Sequence, residues 1–170
     1  LVQYEVGTNE AAAERAQLLA ARVREEREAS ARAEALALRL ALAAGVAPGE
    51  VLIDATRRRA LVRAKRLEGA GLATYRALEL RIAESEPDWR IELIPPAGAL
   101  PAIAVRESVP DAAALGVIGW AAQRLERGVV LTGPAAEVEA AAERLREAGA
   151  SVAVEPGAGP LRAAWAAESE

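Results

Sequence analysis

The sequence predicts an α/β fold, an α+β sandwich in which a mixed sheet carries its helices mainly on one face, built as two related βαβ-type half-units. Three observations lead there. Positions 10–44 are almost all good helix formers with an apolar stripe at helical spacing. Short segments rich in Val, Ile and Leu recur between turn signals. The stretch from Leu100 to Pro156 alternates strand, helix, strand, helix, strand, the order that places helices over a sheet.

Taken in order, "LVQYEV" (1–6) reads as a strand with Val2, Tyr4 and Val6 on one face, and "GTNE" as a turn in which Thr8 or Asn9 caps the next helix. From Glu10 to Ala44, Ala16, Leu19, Ala20 and Val23 recur on one face. "EREAS" (26–30) interrupts the stripe, leaving one long helix or two successive ones open. Gly45 and Pro48-Gly49 end the region. "EVLIDA" (50–55) is a strand, and the basic stretch follows it. "GAG" (69–71) is a turn, and "TYRALELRIAE" (74–84) has nearly the two-residue period of a half-buried strand, so the strands flanking Gly69 to Gly71 make a hairpin.

After the break at "SEPD" (85–88), "WRIELIPP" (89–96) and "LPAIAVRE" (100–107) read as strands. A helix follows from Pro110-Asp111. "RGVVLTG" (127–133) is a strand, "PAAEVEAAAERLREAG" (134–149) a helix and "ASVAVEP" (150–156) a strand. The expected division is a first unit at 1–84, a second at 85–160, and a tail at 161–170 that docks through Leu161 and Trp165 and then frays.

Composition narrows the chemistry. Phe, Met, Cys and His are absent, so Ala, Leu, Val and Ile must form the core, with Trp89, Trp120 and Trp165 as large fillers. Without Cys or His there is no thiolate nucleophile, no imidazole base and no zinc site of the usual N/S type. A general base would have to be a shifted carboxylate or lysine. No catalytic residue, metal ligand or cofactor is assigned, and the chain is read as a non-enzyme. No uninterrupted run of eighteen apolar residues occurs, so no transmembrane segment is expected.

Three phrases together resemble the OmpA-like domain, the peptidoglycan-binding module of bacterial envelope proteins. "YEVGTNEAAAERAQLLAARV" is similar to its first strand, small-residue turn and first helix. "ASARAEALALRLALAAGVAPGEVLIDA" is similar to its second helix and the strand after it, and "TYRALELRI" to its closing strand. A second copy runs through "LPAIAVRES", "PDAAALGVIGWAAQRL", "RGVVLTG" and "AAEVEAAAERLREAG". The resemblance implies that an aspartate and an arginine grip the charged diaminopimelate end of a peptidoglycan stem peptide. Asn9 would stand in for the aspartate, Arg32 lies one residue before the arginine position, and Thr132-Gly133 takes the place of a Thr-Asp pair.

Arg57, Arg58, Arg59, Arg63, Lys65 and Arg66 form a basic run in a chain of net charge −4. With no interleaved aromatic residue and no nucleic-acid motif beside it, the run reads first as a solvated face, and second as a patch for an anionic polymer. Specific nucleic acid is not expected. The functional expectation is a non-enzymatic cell-envelope binding or assembly module, periplasmic, exported from a signal-bearing precursor, with peptidoglycan or another anionic envelope polymer as partner. Self-association through the long helix is open. The alternative is a structural or designed α/β scaffold without a ligand.

Overall fold

The computed structural model describes residues 2–168. Its first element, α1, runs unbroken from Val2 to Ala44. The strand expected at 1–6 is therefore corrected to helix over 2–6, Leu1 lying outside the described residues, and of the two readings of 10–44 the single helix holds. No proline or mid-helix glycine interrupts Asn9–Ala44, and its Ala, Leu, Arg and Glu residues have the best helix propensities. Among the described residues, the last turns are the part that is anchored. Leu36, Leu40, Ala41 and Ala44 are buried, whereas most residues from Asn9 to Ala35 are exposed.

The first sheet has the order β1-β2-β3. A 3₁₀ turn at Pro48–Glu50 leads into β1 (Val51–Asp54), which pairs antiparallel with β2 (Arg59–Arg63). The hairpin turn thus falls at 55–58, inside the basic run, and not at Gly69 to Gly71. The chain then forms α2 (Leu72–Ser85) and returns as β3 (Arg90–Ile94), parallel to β2. The strand expected at 74–84 is corrected to this helix. Leu72, Tyr75, Glu79 and Ile82 are its buried residues, spaced three and four apart as one helix face requires. Because the segment after 85 supplies β3, the first sheet draws on both sides of that position.

The strand expected at 100–107 shrinks to β4 (Val105–Arg106), paired with β5 (Val109–Pro110). Glu107 and Ser108 between them have φ of +51° and +65°, the positive pair that a tight hairpin turn of type I′ needs. Pro95, Pro96 and Pro101 keep the preceding stretch irregular. Helix α3 (Ala112–Leu125) starts where Asp111 accepts a hydrogen bond from the Ala113 amide at 3.2 Å.

The second sheet has the order β7-β6-β8. Strand β6 (Val129–Gly133) is linked through α4 (Ala135–Glu147) to β7 (Val152–Pro156), which lies parallel to it. The expected tail is instead partly a strand, β8 (Arg162–Trp165), antiparallel to β6. In each sheet the central strand has one antiparallel neighbour and one parallel neighbour reached through a helix. The two units thus share an arrangement, with the antiparallel edge supplied before the crossover in one and after it in the other.

Each sheet carries its own apolar cluster, and α3 serves both. Trp120 and Ala121 pack with α1, α2 and the first sheet, while Leu115, Ile118 and Ala122 pack with α4 and the second. Gly119 allows this closeness, because a side chain there would meet the Ala148 Cβ at 3.2 Å. Among the described residues, no helix is long and apolar enough to cross a membrane.

Candidate functional site

The residues singled out from the sequence do not converge. Asn9 and Arg32 are exposed positions on the same helix, separated by about 35 Å along it at 1.5 Å per residue. Thr132 and Gly133 close β6 in the second sheet. Gly133 has φ of +142°, and a Cβ there would lie 2.8 Å from the Leu161 Cα. Its carbonyl accepts a hydrogen bond from the Gly157 amide at 2.8 Å. The glycine therefore lets the 157–161 segment cross close over the strand end.

The basic run is divided among three settings. Arg57 sits in the β1–β2 turn, where its amide donates to the Asp54 carboxylate at 3.2 Å. Arg59, Leu61 and Arg63 alternate on the face of β2 away from the core, and Arg59 donates to Glu92 at 2.6 Å. Lys65 and Arg66 lie beyond the strand, and Arg66 donates to the Ala97 carbonyl at 2.8 Å. Arg57, Arg59 and Arg66 thus meet acidic or carbonyl oxygens of the chain itself, whereas Arg63 and Lys65 make no ion pair among the described residues.

Arg58 is different. It holds φ of +51°, a left-handed conformation that costs a non-glycine residue about 1–2 kcal/mol. Its carbonyl, accepting from the Arg90 amide at 2.8 Å, keeps it there. The side chain borders a groove of about 480 Å³ whose walls are Ala29, Arg32, Ala35 and Arg39 of α1, the β1–β2 turn, and Asp88 and Trp89 ahead of β3. Arg39 is engaged, with Nε and Nη2 at 2.7 and 3.2 Å from the Glu86 carboxylate. Among the described residues, no carboxylate lies within ion-pair distance of Arg32 or Arg58. Two arginines without a carboxylate partner thus line a concavity together with Trp89 and Asp88, a set of residues suited to an anion that also carries an amine.

Neither of two larger concavities offers this. One of about 760 Å³ is the outer side of α4 alone, lined by Glu139, Ala140, Glu143, Arg146 and Glu147. The other, of about 520 Å³, lies where Arg59, Arg90 and Glu92 approach the end of α3, and there both arginines are already paired with Glu92. There, burial pushes the Glu92 carboxyl up, but the Arg59 hydrogen bond and the charges of Arg59, Arg124 and Arg90 outweigh it and hold the group below the usual carboxylate range.

Beside this cluster is a group that sequence reasoning missed. Glu79 of α2 is buried and accepts from the Leu93 amide at 2.8 Å, Trp120 Nε1 at 3.2 Å, and Arg124 Nε and Nη2 at 2.8 and 2.9 Å. Leu93 lies on the open edge of β3, so the carboxylate occupies an amide with no neighbouring strand. Glu79 thereby ties α2 and β3 to α3, and through α3 to the second unit. The available signal was the spacing of Leu72, Tyr75, Glu79 and Ile82, with a charge at an otherwise apolar position.

Among the described residues, no group of three or more carboxylates is placed to hold a metal ion. No family model, no curated protein and no solved structure matches the chain.

Proposed function

We propose that the chain is a non-enzymatic binding module of the cell envelope, with the groove between α1 and the β1–β2 turn as its ligand site. The ligand class is a carboxylate with a neighbouring amine, such as the peptide stems of peptidoglycan present. The observation that carries this reading is the pair Arg32 and Arg58, two guanidiniums without a carboxylate partner at one groove. A bound carboxylate would accept charge-assisted hydrogen bonds from both, and an ammonium would face Asp88. The left-handed backbone at Arg58 supports the same reading, because strain that persists away from glycine tends to collect at ligand sites. The lack of His and Cys throughout the chain favours binding over catalysis.

Sedimentation with purified peptidoglycan at low and moderate salt tests the proposal. Retention that survives moderate salt and is lost in both Arg32→Ala and Arg58→Ala supports it. Retention that disappears with salt and is unchanged in the variants would reduce the interaction to general surface charge. No retention by the wild type would leave the scaffold reading.

A further inference from the structure

The N-terminal part of α1 projects from the two-unit body, and its side chains are sorted by face. Ala12, Ala16, Leu19 and Val23 follow the four-three-four spacing of a coiled-coil seam and fall within roughly 60° of arc around the helix. Leu19 is 62% and Val23 39% exposed. With Ala20, Arg24 and Arg27 they line a shallow depression of about 360 Å³. Arg15 and Arg22 border the seam on one side and Arg27 on the other, while Glu10, Glu14, Glu25 and Glu28 lie round the back. Glu26 occupies the next seam position and ends the apolar run.

We infer that this seam docks an acidic-edged amphipathic helix of a partner protein. Three features choose that occupant. A strip only two residues wide suits a helix seam and is too narrow for a lipid surface, which calls for a broad apolar face with bulky anchors. Alanine at positions 12 and 16 leaves room for larger partner side chains to sit close to the backbone. The borders are basic, so a partner with Glu or Asp at its own flanking positions gains opposite charges along the contact. A second copy of this chain is disfavoured by the same borders. Parallel pairing sets Arg22 against Arg27, and antiparallel pairing sets Arg15 against Arg22. This surface is separate from the groove at Arg32 and Arg58 and stands without it.

The test uses the full chain and two four-heptad peptides, both with Leu at the seam positions, one flanked by Glu and the other by Lys. Fluorescence anisotropy is expected to show the Glu-flanked peptide binding about tenfold or more tightly than the Lys-flanked one. Leu19→Ser with Val23→Ser should weaken it about tenfold, while the helical circular dichroism stays constant. Arg15→Glu, Arg22→Glu and Arg27→Glu together should invert the preference. Equal affinity for both peptides, or no binding to either, overturns the inference. So does tighter binding to phosphatidylglycerol vesicles than to the Glu-flanked peptide, or dimerisation of the chain in sedimentation equilibrium that Leu19→Ser with Val23→Ser abolishes.

Discussion

Replacing Arg124 by Met keeps most of the side-chain stem but removes both hydrogen bonds to Glu79. The carboxylate is left with the Leu93 amide and the Trp120 indole, its negative charge unpaired, at a site where the two ion-pair side chains are only 15% and 10% exposed. Breaking a buried ion pair from one side costs about 3–5 kcal/mol, and the residual solvent contact puts this case near 3 kcal/mol. With a urea m-value on the order of 2 kcal/mol/M, the unfolding midpoint should fall by about 1.5 M. A second substitution separates charge from packing. Glu79→Gln should destabilise the wild type by about 1–3 kcal/mol, since it loses a charge-assisted pair. In the Arg124→Met background it should instead restore about 1 kcal/mol, because the stranded charge is gone. A loss below about 1 kcal/mol for Arg124→Met, as for an exposed pair, would refute the reasoning. So would Glu79→Gln being destabilising in both backgrounds.

Other outcomes follow from individual residues. Arg58→Gly should relieve the left-handed strain and stabilise the chain by about 0.5–1 kcal/mol in urea titrations while abolishing retention on peptidoglycan. Ala20→Pro should reduce the helical circular dichroism yet leave the denaturation midpoint of the two-unit body within about 0.5 kcal/mol, since that part of α1 is solvent-exposed. Gly133→Ala combines a positive φ with a 2.8 Å clash against Leu161 and should cost about 2–4 kcal/mol by thermal or chemical unfolding. Glu92, held low in the folded state, binds its proton more readily when unfolded. Its contribution is therefore present above the unfolded value of about 4.3 and is lost as pH falls through the lower folded value. Glu92→Gln should flatten the acid limb of the stability–pH curve below about pH 4.

The α/β class and the run from α3 through β6 and α4 to β7 were legible because most apolar segments there are set off by a glycine or proline, whereas the short β4–β5 hairpin and β8 were not. "VVLTG" alternates buried and half-buried residues along β6, and Asp111 marks the start of α3 by capping it. The first unit was harder. In "TYRALELRIAE" the inward face includes Glu79, so the helical stripe carries a charge while Leu80, 58% exposed, feeds a false two-residue alternation. Only the tertiary partners Arg124 and Trp120, more than forty residues away, make a glutamate acceptable there. At the N-terminus, "LVQYEV" has strand-like composition, but its residues 2–6 belong to α1, with no breaking residue between them and Glu10 beyond Gly7. Arg32 was singled out through the family resemblance. Its companion Arg58 was visible only as one of six cations, because the β1–β2 turn that aims it at α1 was not foreseen.

The groove is tested most directly by following the arginine Nε–Hε resonances of the full chain while adding a soluble peptidoglycan stem peptide. Saturable shifts at Arg32 and Arg58, with Arg59 and Arg124 unmoved and with loss of binding in the Arg32→Ala, Arg58→Ala double variant, are the expected result. Shifts spread evenly over the exposed arginines, or saturation unchanged in the double variant, would contradict it.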